Sequence, residues 1–202
     1  MKRFIILSVF LLAVAGGVST VISQYIAPDY MKGVEAYEDG NYTAALNEFE
    51  PLAKEGHSEA QYYMAEIYLR GRGVVQDNTQ AREWFRRAAE QGLAQAQTLV
   101  GYYYYSGEQV TLDFKKAFGW YLLAAEQGDV TAQYKLAHMY EAGQGTPRDV
   151  TRAYMWWSLA AELGHELAPK RVTFLEKGLV RLDVVAARIR KNDCQTQNYQ
   201  GC

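Results

Sequence analysis

The sequence contains little cysteine and histidine, and it lacks the short motifs on which most enzyme sites are built. Its two cysteines, Cys194 and Cys202, have no histidine near them in the sequence, which argues against a metal site there. The chain has no glycine-rich phosphate loop, no nucleophile elbow, no Cys-x-x-Cys motif and no zinc-protease helix. Its carboxylates are scattered and form no pair that spacing alone supports. We therefore predict a protein that is not an enzyme and that needs no cofactor or metal.

The sequence also lacks a strong excess of either charge. With 21 basic and 23 acidic residues, its formal net charge is −2 and its pI is near 6.0. A chain of this kind has no electrostatic reason to bind nucleic acid. The composition, 49% apolar and 22% charged, is that of an ordinary folded domain and excludes a disordered or fibrous chain.

Charge is absent altogether from one long run near the N-terminus, between Phe4 and Pro28. The run follows Lys2 and Arg3, as in an export signal, and residues 13–15 are small enough for cleavage. It is also 25 residues long, which is enough for an uncleaved anchor that spans a bilayer. We predict that residues 1–27 are a signal peptide or a membrane anchor, with residues 4–27 as the possible membrane contact. The rest of the chain is then exported, either to the periplasm or to the outer side of the inner membrane.

A pattern of identical residues recurs every 36 residues through the middle of the chain. Three ungapped frames, 58–93, 94–129 and 130–165, align with one another. Threefold identity at one column has a chance on the order of one in a few hundred, so ten such columns are no accident. In the first frame the columns are Ala60, Gln61, Tyr68, Gly71, Asp77, Ala81, Trp84, Ala88, Ala89 and Gly92.

Each frame has the pattern of two helices joined by a short loop. The first helix is expected over about 58–70 and ends at Gly71, and the second begins after Asp77 as its cap. The alanines allow close approach of the helices, whereas Tyr68 and Trp84 are expected to fill the space between them. One pair cannot bury its own apolar face, so neighbouring pairs must stack. We thus predict an all-α solenoid with repeats at about 30–57, 58–93, 94–129 and 130–165.

The two ends of the stack depart from the repeat, as terminal repeats usually do. Residues 30–57 form a shorter first unit, and residues 166–192 form a C-terminal cap. Residues 193–202 form a tail in which Cys194 and Cys202 either close a disulfide, as is common in exported proteins, or remain free thiols. In the cap we expect a helix over about 179–192 that covers the open end of the core with Leu182, Val185, Ala186 and Ile189.

The spacing of alanine, tyrosine, glycine, aspartate and tryptophan in these frames resembles the Sel-one-like repeat (SLR) family, a relative of the tetratricopeptide repeat. The match is strong over 58–165 and looser over 30–192. The resemblance implies a right-handed α-solenoid that binds proteins or peptides, often as an adaptor. The second frame departs from the pattern at two positions, where Gln109 replaces a loop glycine and Gly101 replaces a helix alanine.

The resemblance also implies which side chains face a partner, since the first helix of each pair lines the concave wall. Tyr102 and Tyr105 lie three residues apart and share that face of their helix. Together with tyrosines of the neighbouring repeats, they are expected to form an aromatic strip with charged residues at its edges. This strip either binds a peptide segment of a partner or packs neighbouring helices together. The predicted groove residues are Tyr62, Glu66, Arg70, Tyr102, Tyr105, Tyr134 and His138.

Two smaller features have simple structural interpretations. His57 and His165 both stand just before a first helix, which suits a turn or capping role. A basic cluster on the second helices is either a solvated outer face or a contact with a membrane surface. Its members are Arg82, Arg86, Arg87, Lys115 and Lys116.

The function predicted from sequence is that of an exported or membrane-anchored scaffold that binds a protein or peptide in the bacterial cell envelope. A protein that binds cell-wall glycan, or that modulates a cell-wall enzyme, is one alternative, because stacked tyrosines also bind sugars. A secreted factor for contact with a host or neighbouring cell is another, and it requires cleavage of the N-terminal segment.

Overall fold

The computed structural model describes residues 29–178 and 181–202, and these residues form ten α-helices with no strand among them. The fold is therefore the predicted all-α, right-handed α-solenoid. The predicted signal or anchor segment, residues 1–27, lies outside the described residues. Among the described helices, none has the length and apolar character needed to cross a membrane. The helices are α1 (Tyr30–Glu38), α2 (Tyr42–Lys54), α3 (Ser58–Arg70), α4 (Asn78–Glu90), α5 (Ala94–Ser106), α6 (Phe114–Ala125), α7 (Val130–Ala142), α8 (Val150–Glu162), α9 (Ala168–Gly178) and α10 (Arg181–Thr196).

Helices pack in consecutive pairs, and each pair packs on the next. The tightest packing joins α3 to α4, α5 to α6 and α7 to α8, and the second helix of each pair also packs on the first helix of the following pair. Aspartates cap the second helices: Asp77 accepts hydrogen bonds from the backbone amides of Thr79 and Gln80, and Asp113 accepts one from Lys116. The first helices end at left-handed glycines, as the sequence predicts. These glycines are Gly71, Gly107 and Gly143, with φ of 62°, 71° and 69°.

The loop at Gln109 keeps the conformation of the glycine loops in the neighbouring repeats. Gln109 has a φ of 63°, against 73° at Gly73 and 72° at Gly145. Left-handed backbone is unfavourable for a residue with a Cβ, so this loop holds some strain. Arg82 of the preceding repeat supports it, donating a hydrogen bond of 2.8 Å from Nη1 to the carbonyl oxygen of Gln109.

The main aromatic ladder of the core is not the predicted one. Trp84 and its equivalent Trp120 are only half-buried, and of the three tryptophans at this position only Trp156 is fully enclosed. The position whose ring has no solvent exposure in any of the four repeats stands one residue further along each second helix. That position, repeated every 36 residues, carries Phe49, Phe85, Tyr121 and Trp157.

The ring of this ladder in the same repeat explains why position 101 carries glycine and not alanine. A Cβ at Gly101 would lie 2.9 Å from ring carbons Cδ1 and Cε1 of Tyr121, closer than a real Cβ contact. Gly33 stands in the same relation to Phe49, where a Cβ would lie 2.5 Å from Cε1. Two of the four rings are therefore seated against a glycine of the first helix.

A buried glutamine joins each repeat to the one before it. Gln61 donates from its side-chain nitrogen to the carbonyl oxygen of Ala53 at 3.0 Å, and Gln97 donates to Ala89 at 3.2 Å. Gln133 is fully buried and repeats the contact in the next frame, with Ala125 as the acceptor at 3.3 Å. The recurring glutamine therefore satisfies a carbonyl at the end of the preceding second helix.

The C-terminal helix packs through a different face from the predicted one. α10 lies against α8 and buries Ala187 and Cys194, whereas Val185, Ala186 and Ile189 of the predicted lid are exposed. The helix extends to Thr196, and Cys194 is bonded to Cys202. The prediction was wrong because it counted aliphatic side chains only and stopped the helix before the cysteine that anchors it.

Polar contacts fix α10 and the tail along the second helices. Lys191 forms an ion pair with Glu162, and the side-chain amide of Gln195 donates to the same carboxylate at 2.8 Å. The tail then reaches the end of α6, where Gln200 donates to the carbonyl oxygen of Glu126 at 3.0 Å. The disulfide therefore closes a tail that is held at both ends.

Candidate partner-binding site

The predicted groove residues lie on the first helices of three successive repeats. Tyr62, Glu66 and Arg70 are on α3, Tyr102 and Tyr105 are on α5, and Tyr134 and His138 are on α7. Their environments differ from one repeat to the next.

On α3 the tyrosine is packed into the protein. The ring of Tyr62 meets the core ring of Phe85 edge-on, with 5.4 Å between centroids. Burial, and then the nearby Glu66 carboxylate, raises the pKa of the Tyr62 hydroxyl to about 12. Glu66 and Arg70 form an ion pair of 2.7 Å one turn apart. This part of the surface therefore offers a charged edge above a half-buried ring.

On α5 one tyrosine is exposed and the other is not. Tyr102 is 41% exposed, and its hydroxyl donates to the Glu108 carboxylate at 3.3 Å. Tyr105 is half-buried, and its ring lies 5.5 Å from that of Phe114 and 6.4 Å from that of Tyr121. Tyr102 is thus the one residue of the predicted set whose ring presents a large area to solvent.

Next to Tyr105 lies Tyr121, which has a buried hydroxyl without a partner among the described residues. Tyr121 has no solvent exposure, and its hydroxyl makes no hydrogen bond to any residue in 29–178 or 181–202. Burial raises the pKa of this hydroxyl, and the nearby Tyr105 and Tyr102 raise it further. Thr98, on the groove side of α5, also has a buried hydroxyl with no partner in the described chain. Both hydroxyls are closed off from solvent, so they are unsatisfied polar groups of the core of this repeat.

On α7 the predicted residues belong to an internal aromatic cluster. The ring of Tyr134 stacks on His165 at 4.0 Å between centroids and meets His138 edge-on at 4.7 Å. His138 in turn lies 4.9 Å from Trp157, and the guanidinium of Arg171 lies 4.7 Å from the ring of the same tryptophan. Burial and then the Arg171 charge lower the pKa of His138.

The rings do not touch one another across the repeats. Among the described residues, no ring contact joins Tyr62 or Tyr134 to Tyr102 or Tyr105. Tyr62, Tyr105 and Tyr134 pack instead on the core ring of their own repeat. For these three the helix-packing interpretation has direct structural support, whereas Tyr102 keeps the free surface that recognition requires.

The predicted histidine and arginine features also have defined contacts. His57 is the N-cap of α3 and accepts a hydrogen bond at Nδ1 from the amide of Ala60 at 3.2 Å. In the basic cluster, Arg86 pairs with Glu83 at 2.8 Å, and Arg87 pairs with the same carboxylate at 3.1 Å. Much of the charge of the cluster is therefore neutralised within α4.

Sequence reasoning missed several residues that shape this surface. Tyr121 and Trp157 could have been found, since they stand 36 and 72 residues after Phe85 in a column that is always aromatic but not identical. Arg171 pairs with Glu141 and covers Trp157, and no pattern in the sequence indicates it.

Comparisons with known proteins agree with this architecture. The model of the Sel1 repeat family matches residues 58–93, 94–129 and 130–165, just over half of the chain. A Sel1 repeat protein from Oxalobacter formigenes is 38% identical and superposes with a TM-score of 0.62, covering 63% of this chain and 96% of its own. The structure of c5321, a protective antigen present in uropathogenic Escherichia coli strains and displaying an SLR fold, is 34% identical with a TM-score of 0.68. That match covers 75% of this chain but 34% of the antigen, so this chain spans about a third of it. No curated protein matches the sequence.

Proposed function

Because the chain belongs to the Sel1 repeat family, whose members generally mediate protein–protein interactions, we propose that it is a scaffold that holds a protein partner against its first helices. The observation that carries the proposal is the ring of Tyr102, which is 41% exposed on the first helix α5. The other predicted groove tyrosines, Tyr62, Tyr105 and Tyr134, pack on the core rings of their own repeats. Tyrosines supply both area and a polar group to protein interfaces, which makes them frequent anchors.

The binding surface is centred on α5 and extends to α3. Tyr102 supplies the apolar contact, and Glu66 with Arg70 forms the charged edge.

The proposal includes export of the protein to the cell envelope. Two features support it: Lys2 and Arg3 followed by the uncharged run from Phe4 to Pro28, and the disulfide between Cys194 and Cys202. Disulfides persist in oxidising compartments and are rare in the cytosol. N-terminal sequencing of the protein recovered from cells tests this: a start near Gly16 indicates a cleaved signal, and an intact Met1 indicates an anchor or no processing.

The binding proposal is tested by partner capture with single variants of the full chain. Tyr102→Ala should weaken capture by tenfold or more, because an exposed anchor ring is removed. Leu123→Ala is the matched control: Leu123 is 48% exposed but lies on α6, a second helix, and its variant should capture the partner normally. Equal capture by both variants would contradict the proposal. Binding of peptidoglycan that depends on Tyr102 would support the glycan alternative.

A further inference from the structure

One junction between repeats contains a cavity. It lies between α4 and α5 and has a volume of about 150 Å³. Val100 and Tyr103 form its apolar floor and are 5% and 6% exposed. The face of α5 that lines it differs from the face that carries Tyr102 and Tyr105. The full lining is Arg82, Glu83, Arg86, Val100, Tyr103, Tyr104 and Val110.

The neighbouring junctions have larger apolar side chains at the corresponding positions. Thirty-six residues before and after Arg82 stand Leu46 and Phe118. Thirty-six residues before and after Val100 stand Met64 and Leu136, which are 1% and 0% exposed. The cavity therefore results from two changes at this junction, a shorter floor residue and an arginine in place of an apolar one.

Of the arginines that line the cavity, Arg82 has no carboxylate partner in the part of the chain that the structure describes. Glu83 is occupied by Arg86 and Arg87, and Arg86 also pairs with Glu90. Arg82 donates to the backbone carbonyl oxygen of Gln109, and no carboxylate lies within ion-pair distance of it in residues 29–178 and 181–202. Its guanidinium has five N–H donors, so most of them are left for a ligand.

We propose that this cavity binds an apolar carboxylate: a group the size of one aromatic or branched aliphatic side chain, with its acid on Arg82. A cavity of about 150 Å³ accommodates one aromatic ring. The guanidinium of arginine matches a carboxylate in both charge and geometry. The C-terminal residue of a peptide and a small aromatic acid both have this chemistry. The site does not depend on the surface centred on Tyr102.

The first test uses N-acetyl-phenylalanine as the probe and the full chain as the protein. In a two-dimensional NMR titration, the signals of Val100 and Tyr103 should shift with a dissociation constant on the order of 1 mM. The amide of the same compound, which has no carboxylate, should bind at least tenfold more weakly. A longer peptide ending in phenylalanine is the third arm, and tighter binding of it identifies a polypeptide terminus as the source.

Two variants and a control separate binding from folding. Val100→Leu introduces the residue found at position 136, so it should fill the cavity and reduce binding at least tenfold without lowering the melting temperature. Arg82→Gln should abolish the preference for the acid over the amide. Lys115→Gln, which removes a charge on α6, should change neither result. Undiminished binding to a folded Val100→Leu variant, or equal binding of acid and amide to the unaltered protein, would overturn the proposal.

Discussion

Gln91 donates a hydrogen bond of 2.7 Å to the side-chain oxygen of Gln61, which is buried where two repeats meet. The next repeat repeats the contact, with Gln127 donating to Gln97 at 2.7 Å. The third repeat cannot, because Leu163 stands at the donor position. The side-chain oxygen of Gln133 is consequently buried without a partner among the described residues. Its side-chain nitrogen still donates a hydrogen bond to the carbonyl oxygen of Ala125.

Leu163→Gln should therefore stabilise the protein. The new amide is placed to donate to the unsatisfied oxygen of Gln133, which is worth about 1 kcal/mol. Leu163 is 44% exposed, so little buried apolar area is lost. Chemical denaturation measures the free energy of unfolding. Gln127→Leu is the reciprocal control and should destabilise the protein by about 1–2 kcal/mol; an unchanged stability in both variants would contradict the assignment.

Gln109→Gly should also raise the stability. Gln109 holds a φ of 63° that glycine adopts without steric cost, and the release of that strain should give about 1 kcal/mol. Gly145→Ala is the opposite change at the corresponding position, where a Cβ would lie 2.1 Å from the carbonyl oxygen of Phe114. That variant should lose several kcal/mol. Thermal unfolding measures both changes: the melting temperature should rise for Gln109→Gly and fall for Gly145→Ala.

Tyr121→Phe should separate stability from binding. Phenylalanine already occupies this column at positions 49 and 85, and the change removes a buried hydroxyl without a partner, so the free protein should gain about 1 kcal/mol. Capture of the partner should not change, because the hydroxyl is buried below the surface that carries Tyr102. Phe85→Tyr is the matched control and should lower the melting temperature. A Tyr121→Phe variant that is destabilised would indicate that the hydroxyl has a partner in the free protein.

The stability of the protein should fall as the solution becomes acidic, with a contribution from His138. Burial and the Arg171 charge hold the pKa of His138 below its ordinary value of 6.5. The unfolded chain therefore takes up this proton first as pH decreases, so the contribution is complete above about pH 6.5 and is lost as pH falls through the folded pKa. His138→Gln should show a smaller loss of unfolding free energy between pH 7.5 and pH 5 than the unaltered protein. An equal loss would contradict the assignment.

The fold could be predicted from the sequence because its turns depend on residue identity. Left-handed glycines and capping aspartates recur at fixed spacing, since few other residues serve there. The aromatic ladder was missed for the opposite reason: the core accepts Phe85, Tyr121 or Trp157 at one position, because packing requires size and shape and not identity.

The candidate site was predicted less completely. Helical spacing placed Tyr102 and Tyr105 on one face, but it could not distinguish an exposed ring from one packed on Phe114. Nor could it find the cavity beside Val100, which depends on how two helices of different repeats approach. The face of α10 was misjudged because the prediction counted aliphatic side chains and left out Cys194, which is buried and bonded to Cys202.

The central proposal, that a protein partner lies on the first helices at Tyr102, is tested most directly by a photo-crosslinking residue in living cells. The residue is introduced at Tyr102 in one strain and at Leu123, an exposed residue of α6, in another. We predict one dominant crosslinked protein from position 102 and none of it from position 123. The same crosslinked product from both positions, or from position 123 alone, would contradict the proposal.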